Sequence, residues 1–186
     1  MSAEVLHRER GAQGAEFLVV CGNLLEEPVE AVVNAANGRF AHGGGIAGIL
    51  LCAVGPTLQA ESDRIVRDRG TLPTGSAVAT GAGRLPFRGV VHAIGPRQGE
   101  GDEGALLLRA LGAAFEQANA AGWTSLSFPA VSSGIFAVPL AICARAYVRA
   151  ARDWLARDPR PVLKTLRLCL RDPPVIDTVL DALKGA

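Results

Sequence analysis

Two stretches of this chain combine residue types that can hold an anion and do chemistry beside it. The first, V-V-N-A-A-N-G-R-F-A-H-G-G-G-I-A-G-I-L at residues 32–50, runs from an apolar segment through Asn34, Asn37 and His42 into Gly43, Gly44 and Gly45. Glycine has no Cβ to hold a ligand away and reaches positive φ freely, so consecutive glycines expose consecutive backbone N–H groups. Where a helix begins, as Ile46 and Ala47 suggest here, such groups attract phosphate oxygens. A loop that only turns the chain needs one or two glycines rather than three. Asn34, directly after the apolar run, reads as a residue that pins the loop backbone. Asn37 and His42 read as ligand contacts.

The second stretch, L-S-F-P-A-V-S-S-G-I-F-A-V-P-L at residues 126–140, again leads from a strand through small residues to a helix opened by Pro139. Ser132, Ser133 and Gly134 offer hydroxyls and backbone donors, and Ile135 and Phe136 offer an apolar wall for a sugar or base. No Gly-x-Ser-x-Gly elbow occurs, which disfavours a serine hydrolase. Gly43, Gly45 and Gly48 formally satisfy G-x-G-x-x-G. Residues 34–42 nevertheless separate them from the strand, and no strand ending in an acid follows at the right distance, so hydride transfer is disfavoured. His92, inside V-V-H-A-I-G, reads as a core histidine with its hydrogen bonds met, and His7 carries no signal.

The elements that must position these loops alternate. Residues 4–8 and 16–21 read as antiparallel strands around a turn at 10–14. Short β-branched runs at 31–33, 76–80, 89–94, 125–128 and 165–170 then alternate with helix-length stretches, the pattern of an α/β fold. Leu107, Leu111, Ala114, Phe115 and Ala118 share a helical face after Asp102 as a cap. Leu140, Cys143, Tyr147, Ala151 and Trp154 follow Pro139, which suits a first helical turn. Ile176, Val179, Leu180 and Leu183 follow Asp172 and Pro173. Both loops leave carboxyl ends of strands, where open α/β sheets bind ligands, so together they can clasp a pyrophosphate.

No linker or repeat divides the 186 residues, and one domain over 1–186 is expected. Lys and Arg number 19 against 18 Asp and Glu, so no bulk field draws in nucleic acid or an anionic membrane, and an anion must be held by local geometry. No run is long and apolar enough to span a membrane and the first residues have no apolar signal core, so an intracellular location is expected, in the cytoplasm or else the nucleus. Cys21, Cys52, Cys143 and Cys169 are scattered in apolar stretches with no C-x-x-C pair, which points to reduced core thiols and no metal site.

G-N-L at 22–24, V-V-N-A-A-N at 32–37, H-G-G-G-I-A-G at 42–48, H-A-I-G-P at 92–96 and S-S-G-I-F at 132–136 resemble the macrodomain family in order and spacing across nearly the whole chain. The likeness is to the coronavirus-type domains and to those attached to some poly-ADP-ribose polymerases. It implies a three-layer α/β/α sandwich with a mixed, mostly parallel sheet, and ADP-ribose lying across the two loops with no further cofactor. Gly43, Gly44, Gly45, Ile46 and Ala47 on one side, and Ser132, Ser133, Gly134, Ile135 and Phe136 on the other, would line the ligand, the diphosphate resting near residues 45–47 and 132–136. Leu24 and Ala36 complete the implied contacts. Asn37 would face the distal ribose, with His42 supporting or polarising the site.

Three positions depart from the family's pattern. Asn23 stands where most relatives have an aspartate that accepts from the adenine amino group; losing the charge weakens that contact by about 1 kcal/mol. Arg171 stands where several relatives place an aromatic ring against adenine, and a guanidinium plane stacks on a base as well. Ala47 replaces an aspartate that helps activate water in one hydrolase branch, although the coronavirus-type domains with Ala there are hydrolases. The resemblance thus implies a hydrolase removing mono-ADP-ribose from acidic side chains, with O-acetyl-ADP-ribose as a second ester substrate, or else a non-catalytic reader of ADP-ribosylated proteins. The expected partners are ADP-ribose and mono-ADP-ribosylated proteins, met by a monomer.

Overall fold

In the computed structural model, which describes residues 3–11, 14–41, 43–157 and 161–185, the chain opens with an antiparallel pair, β1 (Glu4–Arg10) and β2 (Glu16–Cys21). A single 3₁₀ turn at Leu24–Glu26 leads to β3 (Ala31–Ala36), then α1 (Gly45–Val54), α2 (Pro56–Arg69) and β4 (Ala77–Thr80). The rest runs β5 (Gly89–Ile94), α3 (Glu103–Ala120), β6 (Ser125–Phe128), α4 (Leu140–Leu155), β7 (Thr165–Leu170) and α5 (Pro173–Lys184). Among the described residues these strands form one sheet in the order β1-β2-β7-β6-β3-β5-β4. Strands β2, β7, β6, β3 and β5 are mutually parallel, and the antiparallel β1 and β4 close the two edges.

The inner strands are buried on both faces, as a parallel sheet between helices requires. In β2 the alternation divides the residues: Phe17 and Val19 join the core under α3, α4 and α5, whereas Leu18 and Val20 join Leu50, Val54 and Leu58 of α1 and α2. The fold is therefore a three-layer α/β/α sandwich with a mixed, mostly parallel sheet, as expected. The helix after β3 lies on one face and the helix after β6 on the other. The chain therefore parts between adjacent strands β3 and β6, the kind of switch point that opens a crevice at their carboxyl ends. No helix of the described residues is long and apolar enough to cross a membrane.

Several local expectations need correction. Strand β3 runs to Ala36 rather than ending at Val33, so Asn34 is a strand residue, 0% exposed, and not a loop pin. Asp102 stands at the start of α3 in the left-handed region, φ 50°, and makes no side-chain cap. The neighbouring Glu103 instead accepts from the Gly99 N–H at 2.7 Å, which ties the loop before the helix to its first residue. Pro139 precedes the first residue of α4 instead of occupying it. Cys52 is exposed, because Leu50 and Val54 occupy the inward face of α1 and turn Cys52 outward.

Candidate functional site

A cavity of about 900 Å³ lies over the carboxyl ends of the parallel strands, within the range of nucleotide-sized sites. Its lining crosses the sheet from the ends of β2 and β7 (Asn23, Arg171), past β6 (Pro129) and β3 (Asn37), to the loop after β5 (Arg97). That is four inter-strand steps of ~4.8 Å, or roughly 19 Å, a channel for an elongated ligand. Asn23, Leu24, Ala36, Asn37, Gly43, Gly44, Gly45, Ile46, Ala47, Ser132, Ser133, Gly134, Ile135, Phe136 and Arg171 all line it. His42 lies outside the described residues.

The glycine loop approaches the cavity as bare backbone. Gly44 is fully extended, and Gly45 starts α1 at φ 57°, a conformation that suits a residue without Cβ. The Gly48 N–H bonds the Gly44 carbonyl at 3.2 Å, so Gly45, Ile46 and Ala47 carry the N–H groups that a helix start leaves without intrahelical partners. The opposite loop leans over them: a Cβ built on Gly44 or Gly45 would meet Ile135 Cδ1 at 3.3 or 3.4 Å. Ile135 is otherwise 74% exposed, so it is an apolar tip of the second loop that comes down over these glycines.

The loop after β6 is held from beneath. Tyr147 Oη donates to the Val131 carbonyl at 2.5 Å and Ser133 Oγ to the Ala130 carbonyl at 3.1 Å. Ala137 N–H and Val138 N–H donate to the carbonyls of Gly134 and Ser132, and among the described residues the amides of Ile135 and Phe136 stand outside the turn's own bonds. Ser132 adopts φ 71° and is 5% exposed, and its hydroxyl has no protein partner among the described residues. A strained backbone carrying an unsatisfied hydroxyl at a cavity wall is the sort of cost that concentrates at functional sites.

The loop-pinning role read for Asn34 falls instead to Asn37. Asn37 Oδ1 accepts from the N–H groups of Arg39 and Ala41, and its Nδ2 donates to the Ala41 carbonyl at 2.8 Å, so it is Asn37 that pins the loop while also lining the cavity. Asn34 Nδ2 instead lies 3.0 Å from His92 Nδ1, and His92 Nε2 lies 2.9 Å from Thr80 Oγ1. The chain of bonds fits a neutral ring that accepts at Nδ1 and donates at Nε2. Phe40 packs its ring edge against His92 at 5.0 Å, and His92 is 0% exposed, a core histidine as expected.

At the β2 and β7 end, Asn23 caps the 3₁₀ turn: its Oδ1 accepts from Leu25 N–H at 3.2 Å and its Nδ2 donates to Glu26 at 2.8 Å. Glu27, buried, receives Arg167 Nε at 2.6 Å and Ser127 Oγ at 3.1 Å, which fastens this segment to β7 and β6. Cys169 lines the cavity, but burial, seconded by the charge of Glu27, pushes its thiol up to about 12, so it is no nucleophile at neutral pH. Among the described residues no three His, Cys, Asp or Glu side chains gather as metal ligands.

Of the lining residues that escaped the sequence reading, the one that carries a charge toward the Asn37 end is Arg97. Arg97 follows β5, and its guanidinium rests on the Phe136 ring at 4.4 Å. The signal lay in the chain: H-A-I-G-P ends a parallel strand, and the residues after such a strand reach the same rim.

The Macro domain family model matches residues 33–147. An uncharacterized protein of Thermotoga maritima is 41% identical over 169 residues, 90% of this chain but 28% of its own length, so this chain spans under a third of that relative. An O-acetyl-ADP-ribose deacetylase of Escherichia fergusonii is 39% identical over 145 residues, 77% of this chain and 82% of its own. The Trypanosoma brucei macrodomain solved in complex with ADP-ribose superposes with a TM-score of 0.78 at 25% identity, covering 90% of this chain and 68% of that one. With most of the chain matched by the family model, and the glycine loop and the loop after β6 both inside the matched region, this protein belongs to the macrodomain family.

Proposed function

We propose that the chain binds ADP-ribose in this cleft and acts as a hydrolase that removes mono-ADP-ribose from acidic side chains of proteins. The observation that carries the reading is the clasp: two small-residue loops from adjacent parallel strands, touching through Ile135 above Gly44 and Gly45 over a cavity of about 900 Å³. A diphosphate laid there meets the helix-start amides of Gly45, Ile46 and Ala47 from one side and the amides of Ile135 and Phe136 from the other. The base falls at Asn23, Leu24 and Arg171, and the distal ribose at Asn37 and Phe136. The deacetylase among the relatives and the ADP-ribose complex of the trypanosome macrodomain support the ligand class.

The only carboxylate among the described lining residues is Asp172, at the base end, so no described side chain is placed to act as general base at the ribose. The reaction must then draw on the substrate. Cleavage at the ribosyl C1 passes through an oxocarbenium-like state that the diphosphate anion stabilises, while the same anion orients the attacking water. Ester linkages suit such a site because a carboxylate departs without being protonated, and O-acetyl-ADP-ribose is a second ester substrate whose nucleotide part the same cleft would recognise. A non-catalytic reader is the rival, favoured by the engagement of the Asn37 amide with its own loop. Calorimetric titration with ADP-ribose, AMP and NAD, followed by a turnover assay on a glutamate-linked mono-ADP-ribosyl peptide, decides the matter. Micromolar binding that favours ADP-ribose together with turnover above background is the expected result. Tight binding without turnover leaves the reader, and no heat at millimolar ligand removes both.

A further inference from the structure

Arg97 holds a charge with no carboxylate of its own. Among the described residues it makes no ion pair; its guanidinium lies 4.4 Å from the Phe136 ring, and the next residue, Gln98, donates its N–H to the Phe136 carbonyl at 2.9 Å. The side chain thus lies over the Phe136 ring at the cavity wall, and the Gln98 bond ties its loop to the loop of Phe136. A stacked guanidinium of this kind keeps its forked donors free for a carboxylate and gives up little side-chain freedom when it binds one.

Its place in the fold says which end of a ligand it meets. Ala36 pairs with Ile94, so β3 and β5 end side by side, and Asn37 and Gly95 leave the sheet as neighbours, with Arg97 two residues further on. Arg171, the other cation of the described lining, leaves β7, which β6 and β3 separate from β5, roughly 14 Å away at ~4.8 Å per strand. Arg97 alone, among these lining cations, stands at the Asn37 end. We infer that Arg97 binds the carboxylate released when an acyl-linked ADP-ribosyl group is hydrolysed, an inference that rests on the hydrolase reading above. In that step the bond between the ribosyl C1 and the ester oxygen breaks, and its electron pair stays on the oxygen, which becomes the carboxylate facing Arg97. Water supplies the new oxygen on C1, and its proton passes to solvent. A fixed cation lowers the barrier because the negative charge on the departing oxygen grows as the bond breaks. The same arrangement offers little to an alkoxide leaving from a serine linkage, which needs a proton rather than a charge.

The test compares the full chain with Arg97→Gln and Arg97→Lys, measuring kcat and KM on a glutamate-linked mono-ADP-ribosyl peptide and the calorimetric Kd for ADP-ribose. The expected result is a kcat about 10- to 100-fold lower for Arg97→Gln, a smaller loss for Arg97→Lys, and an ADP-ribose Kd within about twofold of the parent in both. An unchanged kcat in Arg97→Gln overturns the assignment while leaving the hydrolase reading intact. A Kd that weakens in step with kcat overturns it in favour of Arg97 as a support for the Phe136 wall. A parent chain that binds ADP-ribose and never turns over the peptide removes the hydrolase reading and this inference together.

Discussion

Asn37 makes three hydrogen bonds to the loop that carries it, through both atoms of its amide, and still lines the cavity. Two roles therefore sit on one side chain, and substitution separates them. Asn37→Ala loses all three bonds and should cost about 1–2 kcal/mol of stability in urea denaturation, whereas Asn37→Asp keeps the acceptor for Arg39 and Ala41 but sets a carboxylate oxygen against the Ala41 carbonyl, and should cost about 1 kcal/mol. Turnover should fall in both if the amide donor serves the ribose; an Asn37→Asp chain as active as the parent would confine this residue to holding its loop. The sequence names Asn37 as important but misjudges Asn34. Asparagine is poor in strands, so the run appears to end at Val33. What keeps Asn34 inside β3 is His92, 58 residues away on β5, a contact that no local pattern records.

At the scale of elements, the sheet edge and the helices are stapled together at the end of the sandwich away from the cleft, where β2 begins and α4 ends. Arg152 of α4 donates to both carboxylate oxygens of Glu9 on β1, at 3.0 and 2.6 Å, and to the Leu183 carbonyl of α5 at 3.1 Å. The Arg152 bonds hold the Glu9 carboxyl below its ordinary range. A depressed carboxyl contributes stability above its unfolded pKa near 4.5 and loses it as pH falls through the folded value. Glu9→Gln should therefore cost about 1 kcal/mol at pH 7, and the gap to the parent should close as the pH is lowered below about 4, followed by thermal denaturation across pH. A gap that is constant with pH would mean the ion pair adds nothing beyond packing. Element positions such as β2, β5, β6 and β7 are legible because β-branched and apolar runs end abruptly at turn residues. Helix α2 is not: only Leu58 and Ser62 of its fourteen residues are buried, so it shows almost no apolar face to read. The strand order is equally hidden, since β2 pairs with β7 across most of the chain.

For the whole molecule, the alternation of strand and helix was enough to foresee two loops converging beyond the sheet, and the structure adds how far apart the ends of that cleft lie. With β2 and β7 at one end and β5 at the other, a ligand confined to the base end touches one edge of the cleft, while one that also carries a diphosphate and second ribose bridges both loops and both halves of the sandwich. Binding of the second kind should stabilise the native state more. At 100 times its Kd a ligand adds about 2.7 kcal/mol, and for a chain of this size each kcal/mol moves Tm by roughly 2–4 °C, so ADP-ribose should raise Tm by roughly 5–10 °C. AMP at the same concentration reaches Asn23 and Arg171 but not the far ribose, and should give less than half that shift. Equal shifts for the two ligands would mean that the clasp between Ile135 and the glycines adds nothing to binding, and that the affinity of this cleft resides at its base end alone.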